Sequence, residues 1–393
     1  MIRKDVKGPR ESTNKIKLAA AIAGTLLAAN ISGALAEAKK MPDLTLRTMG
    51  HFFAGGKIMK RKSSDLLAPG LPPLNTMKNL VGQAYVEYLI PKELRAGAAP
   101  IIFAHSGLNG MVWQTTVDGR EGWDKYFARR GFPVYVIDPP GTGRAGFVVD
   151  AINKAATGKG DPLANSPFFL QTSFAWRWYD VGPKFGELGD GHNFGNQMAT
   201  DKEARRQFLG QLIPGGPSGG DVHESFIAAM ERIKEEYGPV IYVGWSGGAV
   251  LGNELMMQRP DLFKAVVSVE AANCTTLPLN STDFDSPQPQ KPVDPKLVSV
   301  YADTKVPLLN LNSEAGHGIW SGHGKEHCRP LVWAIKAKGG KASNAFLPDF
   351  DIHGNSHQMM SERNSDEVAG VILNWIEDKV LDTSRGSSQF DAD

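Results

Sequence analysis

A mostly parallel α/β sheet, with helices on both faces and an inserted cap, is the fold class this chain predicts. Three observations carry it. From about residue 100 onward, apolar strand-type runs alternate with helix-type segments. One strand–helix junction reads Gly244-Trp245-Ser246-Gly247-Gly248. Between about 145 and 220 the alternation stops, in a stretch rich in aromatic side chains.

The elements follow in chain order. Residues 43–58 and 84–90 look like early strands, with Ala54-Gly55-Gly56 as a turn between strands. Residues 69–73 are a Pro-rich connection. A short apolar strand at 101–104 precedes a short helix at 123–130, which Gly131 ends, and the next strand is 133–137. The aromatic stretch holds Phe147, Phe168, Phe169, Phe174, Trp176, Trp178, Tyr179, Phe185 and Phe194, then a glycine-rich run at 214–220. It reads as a cap that covers the active site and shapes an apolar pocket. The helix at 221–237 opens with Asp221 and Glu224 and sets Phe226, Met230, Ile233 and Tyr237 on one face. Strand 239–243 leads into the Gly-Trp-Ser-Gly-Gly turn and a helix at 249–257. Further strands fall at 264–269, 306–311 and 342–347, and further helices at about 325–338 and 365–379. The polar tail 382–393 is expected to be disordered.

Composition bounds the function class. With 393 residues, 41% hydrophobic and 22% charged, the chain can bury a full core. The net charge is +1, and the only basic block outside the N-terminus is Lys60-Arg61-Lys62, read as a solvated turn, so no nucleic-acid partner is expected. The N-terminus has the parts of an export signal: basic Arg3, Lys4, Lys7, Arg10, Lys15 and Lys17, an apolar stretch at 18–29, and an A-x-A site at Ala34-Leu35-Ala36. A spanning helix needs about 20 strongly apolar residues. Residues 1–36 are therefore expected to be a signal peptide and 37–393 the catalytic domain, secreted or periplasmic, with no stable membrane insertion after cleavage. An uncleaved anchor is the alternative. The two cysteines, Cys274 and Cys328, suggest one disulfide in an exported protein.

The chemistry centres on Ser246. A G-x-S-x-G between a strand and a helix is the signature of a nucleophile elbow, where a Cβ on either glycine would clash in the tight turn. It exposes the serine hydroxyl and sets the N–H of Gly247 at a helix N-terminus, where it can hold an oxyanion. A serine needs a base, and in such chains the order is Ser, acid, His. Of nine histidines, five follow Ser246. His357 lies in a loop after the last strand, with His353 as its competitor. His317, His323 and His327 form a Gly-rich cluster with no zinc spacing, read as a solvated loop. No metal or organic cofactor is implied. Two glutamates qualify as the acid that orients the histidine. Glu270 ends an apolar strand, where an unpaired carboxylate is costly. Glu314 follows the next strand, the commoner place for the acid, but precedes a flexible Ala-Gly-His-Gly segment. Asp349 and Asp351 read as turn residues. The second oxyanion donor is expected in the loop His105-Ser106-Gly107-Leu108-Asn109-Gly110, from Gly107 first and Leu108 next. Residues 138–144 (DPPGTGR) lack phosphate-loop spacing and read as a turn.

These segments make the chain similar to the α/β-hydrolases, and in particular to exported bacterial carboxylesterases with a glutamate acid. The matching stretches are 104–107, 122–127 with 135–138, 244–248, 267–270 and 353–357, spread over about 100–380. The resemblance implies Ser246, Glu270 and His357 as triad, and cysteines at places like Cys274 and Cys328. Some relatives carry paired cysteines where this chain has Gly107-Leu108, a departure that bears on substrate preference. The expected protein is thus an exported serine hydrolase that cleaves a small, apolar or aromatic ester through an acyl-enzyme. The alternatives are a lactonase or amidase with the same triad, and a non-catalytic binding protein of this fold. A homodimer is left open.

Overall fold

The computed structural model describes residues 43–61, 77–105, 108–149, 152, 154–155, 158–160, 170–274, 293–315, 324–381 and 390. The chain divides into two units, Met1–Asp43 and Leu44–Asp393. The expected signal peptide, the Pro-rich connection and all of the tail but Phe390 lie outside the described residues.

Eight strands form one sheet in the order β1-β2-β4-β3-β5-β6-β7-β8. They are β1 Leu46–Arg61, β2 Met77–Pro91, β3 Ile101–Ala104, β4 Val134–Asp138, β5 Val240–Trp245, β6 Phe263–Val269, β7 Leu308–Asn312 and β8 Ala342–Phe346. β1 and β2 pair antiparallel, β2 and β4 likewise, and every other neighbour pair is parallel. The mostly parallel sheet expected from strand–helix alternation is the one that forms.

The central strands are continuous apolar runs because both of their faces are covered. Side chains alternate between two cores. Ile101, Phe103, Ile241 and Val243 enter one, with Trp123 and Phe127 of α1 (Trp123–Ala128) and Ile372 and Trp375 of α8 (Ser365–Lys379). Trp176 of α2 (Thr172–Trp178) and Phe208 of α3 (Lys202–Gly210) extend the same core. Ile102, Ala104, Val240 and Tyr242 enter the other, under α4 (Val222–Tyr237), α5 (Gly247–Gln258), α6 (Pro295–Thr304) and α7 (Arg329–Ala337). α4 starts as expected: the Asp221 carboxylate accepts from the His223 N–H at 2.8 Å.

Three local expectations are corrected. Ala54-Gly55-Gly56 is no turn; it runs inside β1, where Gly55 and Gly56 have φ of 64° and 80°. A Cβ on Gly55 would lie 2.7 Å from the Ser225 Cα, so the glycine serves close approach to α4. Lys60 and Arg61, read as part of a solvated turn, continue β1. α6 was not expected; its Leu297, Val298 and Tyr301 are buried on the sheet, while Asp294 caps its N-terminus.

Cys274 and Cys328 form the expected disulfide. It joins the stretch after β6 to the start of α7 across a sequence separation of 54. In the chain-entropy model a crosslink of that span stabilises by about 4 kcal/mol. Replacing both cysteines by alanine is expected to lower the melting temperature well beyond scatter. An unchanged melt would show that the bridge constrains little in the unfolded chain.

Candidate active site

β5 ends at Trp245 and α5 begins at Gly247, so Ser246 alone makes the turn. Its backbone sits at φ 56°, ψ −122°, a conformation that L-residues avoid unless the surroundings impose it. The flanking glycines are there for space. A Cβ on Gly244 would lie 2.6 Å from the Gly248 carbonyl oxygen, and one on Gly248 would lie 2.8 Å from that of Ala104. The Ser246 N–H donates to the Val269 carbonyl at 3.0 Å, and the Ser246 carbonyl accepts from Ala272 N–H at 3.1 Å. The turn is thereby tied on both sides to the chain leaving β6.

That chain carries Glu270, which also has a positive φ, 44°. Its N–H donates to the Leu311 carbonyl at 2.9 Å, as if continuing the sheet, while the kink brings Ala271 and Ala272 back across the elbow. The Glu270 side chain is fully buried. One carboxylate oxygen accepts from the Ser313 N–H, and the other lies 3.4 Å from Nδ1 of His357.

His357 is equally buried and is held by its backbone as well as its ring. Its N–H donates to the Tyr179 carbonyl at 3.0 Å, and its carbonyl accepts from the Trp245 indole N–H at 2.7 Å. The Tyr179 ring stacks on the imidazole at 5.8 Å and 14°, and Trp245 lies against it at 5.3 Å. With Nδ1 facing a carboxylate that can only accept, the tautomer carries its proton there, which leaves Nε2 as the basic nitrogen.

The alternatives fall elsewhere. Glu314 accepts from Gly354 N–H at 3.1 Å and faces His353 and His192, 3.3 and 3.1 Å away. It is thus joined to His353 and not, by any of these contacts, to His357. His327 is corrected: it is buried rather than solvated, and its Nε2–H donates to the Ala271 carbonyl at 2.6 Å. Its own carbonyl accepts from Asn310 and Asn312. His317 and His323 lie outside the described residues. Among the described residues, Cys274, His327 and Cys328 are the one cluster of metal-ligand type, and the disulfide removes both thiolates from it.

Gly247 opens α5, as the oxyanion reading requires, whereas Gly107 lies outside the described residues. Both flanks of its loop are anchored to one group that the sequence reading passed over as a turn residue. Asp138, at the end of β4, accepts from His105 Nε2 at 3.2 Å, Gly110 N–H at 2.6 Å, and Arg144 N–H and Nε at 3.0 Å. Burial works against its charge, but the bonds from His105 and Arg144 outweigh it and hold the carboxyl well below the usual range. Only the Asp–Arg spacing hinted at this.

No family model matches the chain. A curated relative, described as a probable secreted lipase, phiG, from a fungal species (strain ATCC 74256), is 25% identical over 335 residues, covering 75% of this chain and 85% of its own. Among solved structures, a novel bacterial esterase superposes with a TM-score of 0.70 at 28% identity, covering 86% of this chain and 98% of its own. Eight strands in this order, an elbow after β5 and that superposition agree: the chain has the α/β-hydrolase fold and is similar over most of its length to a bacterial esterase and to a secreted lipase.

Proposed function

We propose that the chain is an exported carboxylic ester hydrolase that works through Ser246, His357 and Glu270. The observation that carries this is a strained elbow serine at the same sheet end as a fully buried Glu270–His357 pair. Likeness to an esterase and a secreted lipase supports the ester class and, with the basic–apolar leader and A-x-A site, export with residues 1–36 removed.

In this reading His357 Nε2 takes the Ser246 proton as the hydroxyl oxygen attacks the ester carbonyl. Glu270 stays ionised, fixes the tautomer and stabilises the imidazolium. The Nδ1–carboxylate distance of 3.4 Å is loose, as such bonds often are before substrate arrives. The N–H groups of Gly247 and Gly107 hold the oxyanion. Imidazolium then protonates the departing alcohol, and a water activated by the same nitrogen releases the acid. The segment at about 145–220 acts as the cap; Phe174 packs tilted on Trp178, which stacks on Tyr179 and so on toward His357, and these rings favour an apolar or aromatic acyl group.

Mature protein should turn over p-nitrophenyl esters, and Ser246→Ala should lower kcat by about 10⁶. A fluorophosphonate should label Ser246 and no other residue. An active alanine variant would overturn the mechanism, and absence of turnover on any ester, lactone or amide would favour a binding protein.

The acid is tested by two amide substitutions, each checked by thermal melt. Glu270→Gln should cut kcat by about 10⁴, because the amide favours the wrong histidine tautomer. Glu314→Gln should stay near wild type. The reverse pattern would move the acid to Glu314.

A further inference from the structure

A second buried carboxyl lies beside the Glu270–His357 pair. Glu362 is fully buried, five residues after His357, at the turn that leads into α8. Its two oxygens accept from the Ser356 N–H at 3.0 and 3.2 Å and from the Asn355 side-chain amide at 2.7 Å. The Ser356 hydroxyl donates to it as well. Asn355 is held in turn by Asn364 through two bonds of 2.7 and 2.9 Å. Each of these partners donates to the carboxyl, and Ser356, the residue it grips, directly precedes His357.

We propose that Glu362 is a positioning residue for the proposed base: its ionised carboxylate clamps Ser356, and protonation of that carboxylate loosens the clamp and slows hydrolysis. The inference rests on the triad reading above. A neutral carboxylic acid turns one oxygen into a donor and loses the charge that strengthens the bonds it accepts. Its hold on Ser356 and Asn355 is then weakened. The imidazole is fixed through its own backbone N–H and carbonyl, so a shift of the preceding peptide reaches it directly.

The charged groups around Glu362 set the pH at which this happens. Glu270 approaches from the end of β6, and its negative charge disfavours a second one nearby. Arg120, from the loop before α1, donates to the Glu362 carbonyl at 2.6 Å rather than to the carboxylate, and is itself paired with Asp118. Asp366 and Glu367 in the first turn of α8 are exposed. Burial foremost, with Glu270 adding to it, outweighs the donors from Ser356 and Asn355 and brings the carboxyl up to about 7, against an ordinary 4.5. The clamp is therefore closed above neutral pH and opens as the pH falls.

The test is the acid limb of kcat/KM on a p-nitrophenyl ester, which reports groups of the free enzyme. The wild type is fully active only with a neutral His357 and an ionised Glu362, so log kcat/KM should fall with a slope above 1 over the range where both groups titrate. Glu362→Gln has no proton to take up; its slope should be 1, with kcat at pH 8 lower by about tenfold to a hundredfold and KM little changed. Asn355→Ala keeps the carboxyl but removes a donor, so the limb should move up by about one pH unit. A wild-type slope of 1, with the limb unmoved in both variants, would reduce Glu362 to a packing residue. Should Glu362→Gln not fold, the wild-type slope and the Asn355→Ala shift decide the matter. Ser246→Ala, run in parallel, separates the two readings: activity surviving there overturns the triad, whereas an inert Ser246→Ala with unchanged profiles elsewhere overturns only the clamp.

Discussion

Burial of the Glu270 carboxylate is the constraint around which the carboxyl ends of the strands are built. An ionised carboxylate away from water costs several kcal/mol unless donors surround it. The chain supplies two, and fastens the residue's backbone as well. The Ser313 N–H comes from the end of β7 and the imidazole of His357 from the loop before α8, while the backbone of Glu270 is fastened to β7 at Leu311. Ala271, Ala272 and Cys274 are each fixed in turn, by His327, Ser246 and the disulfide. Four of the five residues from 270 to 274, beside the elbow, are therefore held in place. That rigidity lets Ser246 and Glu270 both hold positive φ, since each strained residue is determined by its neighbours' bonds rather than by its own preference.

Two buried carboxyls show how donors set charge. Asp138 has four donor groups, one of them a guanidinium, and stays charged with a depressed pKa. Glu362 has neutral donors and a carboxylate neighbour, and is pushed up instead. Two acids of similar burial thus diverge because one faces a cation and the other an anion.

Much of this was legible in the sequence, because the signals were local. The elbow glycines, the Asp221 cap and the apolar strands declare themselves within a few residues. Glu270 stood out for a physical reason: an acid ending the run Ala265-Val266-Val267-Ser268-Val269 has to be paired, and it is. What was not legible depends on distant partners. Gly55 reads as a turn until Ser225 is seen against it, and His327 reads as solvated until the Ala271 carbonyl is seen beneath it. Glu362 looks like an ordinary surface acid before a helix, since nothing nearby in sequence announces burial. α6 escaped notice because its short amphipathic run follows a Pro- and Asp-rich stretch that reads as loop.

The segment from Leu170 to Arg205 is bonded to the His357 loop at several points rather than resting over it. Tyr179 takes the His357 N–H, Asn196 N–H donates to the Gly354 carbonyl, Gln197 reaches the His353 carbonyl, and Arg363 N–H donates back to Gln197. Such a segment is a structural wall of the imidazole's seat. Exchanging it for the equivalent stretch of another hydrolase would change more than which molecules fit: it would remove the backbone that orients the histidine. In the proposed mechanism, specificity and proton transfer are therefore written into the same residues, and a lineage drifting toward new substrates would have to keep positions 179 and 196–197 bonded to the loop while varying those between them.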